Sequence, residues 1–313
     1  MGLIKKLVLL FVLLLLLWGA YVAYAVVTMA PQLSASWGEV NEKETQIVVT
    51  AHWKKPLLLP LEVRYAVLDF SGVEVARVER FSYGPFSTGA EVVIGIDNHN
   101  IVRALFKYLD NGQRGEASLT FRAFLLKFIP LKLDLSQEIN EDILGQMNFT
   151  AESTPILGGL AQSPALVSTK VEWKGATGER GEMIAYMKLY NPNDFPLPVG
   201  NLRFNVYANG IKVGSGQTVE SVVIPAKGYK VLPVETVIYG DEIPKAWVLH
   251  VKNGETSKLR IDLYLTVNAL GKDVNVKLFS KEETVKTDIM ESINQALQEA
   301  SESLSSLSSK LRG

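Results

Sequence analysis

For chemistry the chain of 313 residues offers three histidines, no cysteine and a scatter of carboxylates. His250 lies in Val248-Leu249-His250-Val251, which alternates like a strand, and His99 lies in the apparent turn Asp97-Asn98-His99-Asn100. Neither has a second His or a carboxylate at i+2, i+3 or i+4, the spacing that gathers metal ligands on one face of an element. His52 is as isolated. The absent cysteines remove a thiol nucleophile, a disulfide framework and every zinc site that uses sulfur. Gly214-Ser215-Gly216 has the form of part of a nucleophile elbow or phosphate loop, but that chemistry needs a helix N-terminus directly after it. The residues that follow read as strand, so the segment is taken as a bulge. Asp97, Asp110, Glu141 and Asp142 would serve as general acid and base only if paired across a cleft. Nothing in the sequence pairs them, so no catalytic residue, metal or cofactor is assigned.

The elements that would position such groups are easier to read. At this length the chain has room for two domains that bury cores without disulfides. Lys+Arg 32 against Asp+Glu 33 leaves a net charge of -1. That balance argues against a nucleic-acid partner, whose binding rests on excess basic residues meeting phosphates. After Lys5 and Lys6, Leu7 to Val27 runs without a charged residue. At ~1.5 Å per residue it matches the ~30 Å hydrocarbon core of a bilayer. The next basic residue is Lys43, so the charge bias places the N-terminus in the cytoplasm and the rest outside. Trp18, Tyr21 and Tyr24 mark the outer interface. The run is read as an uncleaved membrane anchor. A cleaved signal peptide, with Ala23-Tyr24-Ala25 as its small-x-small site, is the competing reading.

Self-alignment at an offset of about 140 residues puts landmarks in the same order twice. Trp37 falls near Trp173, Leu59-Pro60-Leu61 faces Leu197-Pro198-Val199, Arg64-Tyr65 faces Arg203-Phe204, Gly89 faces Gly228, and Asn111-Gly112 faces Asn253-Gly254. Within the copies the period is two, as in Leu202-Phe204-Val206, Leu259-Ile261-Leu263-Leu265 and Val274-Val276-Leu278, and in the first copy Val63–Leu68, Val73–Val78, Ala90–Ile96 and Ser118–Leu126. Asn209-Gly210 between two such runs signals a two-residue hairpin, and Asn111-Gly112 and Asn253-Gly254 are read in the same way. The expected fold is mainly β: a transmembrane helix (1–28), an antiparallel immunoglobulin- or fibronectin-III-like β-sandwich (29–149), a linker (150–164), a second sandwich (165–284) and a C-terminal amphipathic helix (285–313).

The stretch Leu189-Tyr190-Asn191-Pro192-Asn193-Asp194-Phe195-Pro196-Leu197-Pro198-Val199, then Leu202–Gly210, Ile211–Gly216 and Val223-Ile224-Pro225, resembles the WHy domain, also called the group-2 late embryogenesis abundant domain. The resemblance covers roughly the second copy, about 166–280. The first departs from it, with His52-Trp53-Lys54-Lys55-Pro56 where Asn-Pro-Asn would stand. The resemblance implies a β-sandwich, an association with desiccation stress and no catalytic residues. On physical grounds Pro192 ends or edges a strand while Asn191 and Asn193 satisfy the backbone groups it leaves open. The alternative makes Asn191, Pro192, Asn193, Asn209 and Gly210 a polar contact region.

At the C-terminus, Val285, Ile289, Ile293, Ala296, Ala300, Leu304, Leu307 and Leu311 form one helical stripe. It either docks on its own domain or serves self-association or a partner helix. Asn148-Phe149-Thr150 is a glycosylation sequon beside the linker. The functional expectation is a non-enzymatic, membrane-tethered extracytoplasmic protein that protects or organises the envelope under stress. The alternative is a module for lipid or another hydrophobic ligand, lined by the run Phe124–Leu131.

Overall fold

The computed structural model describes residues 10–13, 31–54, 56, 60–125, 127–218, 221–269 and 272–310. The chain forms two compact units, one of residues 1–104, 114–139 and 287–313, the other of 105–113 and 140–286.

In the first unit the strands are β1 (Gln32–Val40), β2 (Glu44–His52), β3 (Leu61–Phe70), β4 (Val73–Tyr83), β5 (Gly89–Asp97), β6 (Gly115–Leu125) and β7 (Ile129–Ile139); helix α1 (Asn98–Asp110) follows β5, and its residues from Leu105 on count with the second unit. They pair antiparallel in the order β1-β2-β5-β4-β3-β6-β7. That is the immunoglobulin arrangement, A-B-E-D against C-F-G. β3 and β4 join the two layers through a short ladder, Val67–Phe70 against Val73–Arg77, and beyond it they separate. The layers exist because strand side chains alternate between faces. In β2, Thr45, Ile47 and Val49 are buried while their neighbours are more open. Ile47, Ile94, Leu119 and Phe121, each at most 1% exposed, fill the interior. Burying a side chain of this kind contributes about 1.5–3 kcal/mol.

The second unit contains β8 (Pro155–Ile156), a 3-10 turn (Leu157–Gly159), β9 (Ala161–Gln162), β10 (Ala165–Thr177), β11 (Arg180–Tyr190), β12 (Leu197–Val199), β13 (Asn201–Ala208), β14 (Ile211–Thr218), β15 (Val222–Ile224), β16 (Tyr229–Tyr239), α2 (Ile243–Lys252), β17 (Thr256–Ala269) and β18 (Lys272–Lys286). Its large sheet runs β10-β11-β16-β14-β13-β17-β18, the same order position for position, with α2 again before the sixth strand. β8 pairs with β9, and β12 with β15. Leu189, Leu202, Phe204, Ile224, Leu232 and Val234 form its core.

Several expectations change here. His99 sits on α1 and His250 on α2, not in a turn and a strand. Four residues are too few to separate a period of 2 from one of 3.6. Asn209-Gly210 makes the hairpin between β13 and β14, with φ of 52° and 84°. Asn111-Gly112 and Asn253-Gly254 do not: each closes a helix, with Gly112 and Gly254 both at φ 67°. Both settings demand a left-handed residue, so the dipeptide alone cannot tell them apart. Phe124–Leu131, expected to line a site for a hydrophobic ligand, is the β6–β7 hairpin, turning at Lys127 (φ 66°). Gly214-Ser215-Gly216 lies in regular β14, and the bulge falls just before it, at Val213. Gly216 is required by packing, since a Cβ there would lie 2.3 Å from the Phe204 ring. The segment 150–164, expected to be a plain linker, carries the β8–β9 ribbon and a bridge from Ala151 to Leu166.

Of the apolar run, Leu10–Leu13 is helical with Phe11 and Val12 buried. The rest, including Leu7 and Val27, lies outside the described residues. Among the described residues no helix is long and apolar enough to cross a membrane.

The C-terminal helix, α3 (Ile289–Lys310), belongs to the first unit, where it covers edge strand β1. Val285 lies outside it, in β18. Ile289, Ile293 and Leu297 are buried at 4%, 1% and 0% exposure. The Asn294 amide acts as a short extra strand: Ala35 N–H donates to Oδ1 at 2.7 Å and Asn294 Nδ2 donates to Ala35 O at 3.0 Å. An open edge is a template for unwanted pairing, and this contact blocks it. Asn294→Leu is expected to lower stability by about 1–3 kcal/mol in urea unfolding, because both Ala35 groups lose their partner. Gln295→Ala, one residue away and exposed, should stay within about 0.5 kcal/mol.

Candidate functional site

The groups that could do chemistry do not converge. His52 ends β2 in an exposed position. His250 is buried, 2.8 Å from Ser257 Oγ, and burial pushes its imidazole pKa down against the opposing pull of Glu255, so it is neutral at pH 7. Asp97 caps α1, accepting from Asn100 N–H at 2.8 Å. In the second unit Asp110 accepts from the Trp173 indole at 2.7 Å. Also there, Asp142 accepts from Gly145 N–H and Gln113, which hold its pKa below the ordinary range. The Glu141 carbonyl accepts from Tyr108. Asp97 and Asp142 thus serve the local backbone and Asp110 an indole, and the four are not gathered on one cleft. Asn148, the sequon residue, is exposed, and its Oδ1 accepts from Thr169 N–H at 2.9 Å. No group of three or more His, Cys, Asp or Glu among the described residues could hold a metal ion.

Asn191-Pro192-Asn193 turns out to be a fastener. Asn191 is 0% exposed, and its Nδ2 donates to the carbonyls of Phe195 (2.8 Å), Ile224 (3.2 Å) and Pro225 (3.1 Å). Its Oδ1 accepts from Asn193 N–H and Nδ2 at 3.0 and 2.8 Å. Asn193, also buried, pairs its amide with both backbone groups of Gln162 in β9. Lys227 Nζ donates to Pro192 O at 2.7 Å. Two side-chain amides thus tie β11 to the β8–β9 ribbon and to both flanks of the β12–β15 ribbon. They are not available as a contact surface. Asn209 is used in the same way, bonding Lys258 N–H, Ser257 Oγ and Ala246 O. Gly210 remains exposed at its turn.

What the second unit does present is the outward face of its large sheet. Cross-strand register places Glu235, Gln217, Arg203 and Tyr264 in one row, and Glu182, Val237, Ser215, Asn205 and Asp262 in the next. An open groove of about 1010 Å³ runs over these rows as far as Asn205 and Tyr264. Its rim is basic: Arg180 and Lys212 lie 5.9 and 5.6 Å from the centre of the Tyr239 ring, whose hydroxyl is 2.7 Å from Ser215 Oγ. Beside Asn205 in the register, outside the groove's lining, Asp262 has Lys277 Nζ at 2.9 Å, Arg260 Nε at 3.4 Å and a hydrogen bond from Ser280. Burial alone would raise the Asp262 pKa, and Ser280, Lys277 and Arg260 outweigh it, leaving the carboxyl below its ordinary value. Ser215 has a phenol beside it rather than a base, so the face can bind polar groups but has no activated nucleophile. The sequence shows Arg203, Asn205 and Tyr207 as outward positions, yet their joining with Ser215 and Glu235 depends on a register that no single strand reveals.

Two outcomes follow. Asn191→Ala should cost about 3 kcal/mol in urea unfolding, because the buried Ile224 carbonyl and the half-buried carbonyls of Phe195 and Pro225 lose their donor. For Asp262 the depressed pKa means that its contribution is present above the unfolded value and is lost as pH falls through the folded one. The second unit should therefore weaken on acidification below about pH 4. Asp262→Asn should flatten that limb of the pH–stability profile.

Residues 186–282 match the late embryogenesis abundant protein family. The match spans under half of the chain, from within β11 to within β18. No curated protein matches the chain. Among solved structures, a protein from Archaeoglobus fulgidus is similar at 24% identity, over 39% of this chain and 97% of that one, with a TM-score of 0.32. An Arabidopsis thaliana protein is similar at 16% identity, over 41% and 86%, with a TM-score of 0.28. The second unit contains a domain like those of the late embryogenesis abundant family.

Proposed function

We propose that the chain is a non-enzymatic extracytoplasmic protein, tethered to the cell membrane by its N-terminal helix, whose tandem WHy-type domains protect or organise the envelope under water stress. The observation that carries this reading is the family match over residues 186–282, which falls on the second sandwich. The tandem arrangement is supported by the identical strand order of the two large sheets. The tether is supported by the uncharged run from Leu7 to Val27 behind Lys5 and Lys6. A binding rather than catalytic role accords with the polar face, where hydrogen-bonding groups stand in rows without a nucleophile and base.

A module that encloses lipid between its layers is the competing reading. It is not favoured, because Leu189, Leu202, Ile224 and Leu232 fill the second core at no more than 2% exposure each. The described part of the apolar face of α3, at Ile289, Ile293 and Leu297, is buried where the helix packs on β1, which favours docking within the chain over a partner helix.

The full chain fused at its C-terminus to alkaline phosphatase, which is active only outside the bacterial cytoplasm, tests placement. The fusion should be active and should stay with membranes washed in alkaline carbonate. Cells making the full chain should also survive drying better than cells making Asn191→Ala at the same level. Equal survival would remove the protective role.

A further inference from the structure

We infer that one end of the first sandwich rests on the lipid surface, with the aromatic tips of two hairpins set into the headgroup region. This rests on the tethered reading above and adds which part of the fold meets the bilayer. The register of the strands fixes that end. Gln32 of β1 pairs with His52 of β2, His52 with Gly89 of β5, and Ala90 with Tyr83 of β4. In the other layer Leu61 of β3 pairs with Leu125 of β6, and Leu125 with Ile129 of β7. The start of β1 and the β4–β5 and β6–β7 turns therefore share one end of the unit.

That end carries exposed aromatic groups. Phe86, in the β4–β5 turn, is 81% exposed, and Phe128, in the β6–β7 turn, is 72% exposed. Trp53 stacks on Tyr83 at 6.0 Å behind the first of them. An isolated exposed Phe needs no explanation, but two at loop tips on the same end, backed by a Trp–Tyr pair, form the kind of surface that singles out an interaction site. Exposed Lys54 and Lys127 stand on the same connections. The neighbouring carboxylates are engaged: Glu91 lies 2.9 Å from Arg80 and Glu62 lies 3.0 Å from Arg64. Aromatic rings with nearby lysines suit an interface with anionic lipid.

The occupant is chosen by the chain itself. Between Val27, the end of the expected membrane span, and Gln32 stand four residues, Thr28-Met29-Ala30-Pro31. Fully extended, they reach about 14 Å. With the run inserted, the end of the unit where β1 begins cannot leave the headgroup region, and Phe86 and Phe128 are on that end. In the second unit the corresponding end is closed instead by the Asn191 and Asn193 amides, and the first unit has Trp53-Lys54 where that motif would fall.

The absence of native cysteine makes the test direct. Single cysteines replacing Phe86, Phe128 or, at the opposite end, the exposed Glu42 in the full chain would carry an NBD fluorophore. The labelled chains would be reconstituted into phosphatidylcholine–phosphatidylglycerol vesicles containing a spin-labelled lipid quencher. Labels at 86 and 128 are expected to shift to the blue and lose intensity to the quencher, while the label at 42 does neither. If the chain floats with the vesicles and all three labels respond alike to aqueous iodide and not to the lipid quencher, the inference is overturned and the tether stands. If the chain does not float, both fall. Circular dichroism matching the unlabelled chain shows that the labelled fold is intact.

Discussion

The second sandwich depends on one buried side-chain amide. A strand-ending proline, where three parts of the chain meet, leaves backbone carbonyls inside the protein, where an unmatched polar group costs free energy. Asn191 answers three of them with a single Nδ2 and positions Asn193 with its Oδ1. Asn193 then fixes the β8–β9 ribbon. The end of the sandwich is thereby closed by side-chain amides.

The same strand order closes its ends differently in the two units. The first has no Asn-Pro-Asn and places aromatic groups at the corresponding end, while α3 covers its open edge through Asn294. On the proposed reading these differences would divide the work, with the aromatic end of the first unit toward lipid and the polar face of the second toward a hydrophilic partner. Both follow from how each copy satisfies backbone groups at its edges and ends.

Much of the strand pattern was legible because alternation over five or more residues has few competing explanations, as in Leu202–Tyr207 and Leu259–Leu265. Helix α1 was missed although its signal was present. Asp97 caps it, and Val102, Phe106 and Leu109 recur at helical spacing and are buried. The Asn-Gly that follows drew the reading toward a hairpin. Helix α2 was hidden by its length and by Pro244, which is tolerated only in a first turn. The helical stripe of α3 shows Ile289 and Ile293 as inward positions but not Leu297, which is fully buried, and no stripe can reveal that its partner is β1, more than 250 residues earlier in the chain. For Asn191 the physical role was readable, since an amide beside a proline must serve the backbone. The identity of the carbonyls was not, because they come from residues 195, 224 and 225, which only the folded chain brings together.

The claim that most of this rests on is that the Asn-Pro-Asn motif is an internal fastener and not a surface for a partner. Proton NMR of the chain labelled with 15N at asparagine, transferred into D2O, examines it directly. The Asn191 side-chain NH2 signals should persist far longer than those of an exposed amide such as Asn148, because exchange requires the closed end of the sandwich to open. If the Asn191 protons exchange as fast as those of Asn148, the amide is solvent-facing and the account of the second unit is wrong.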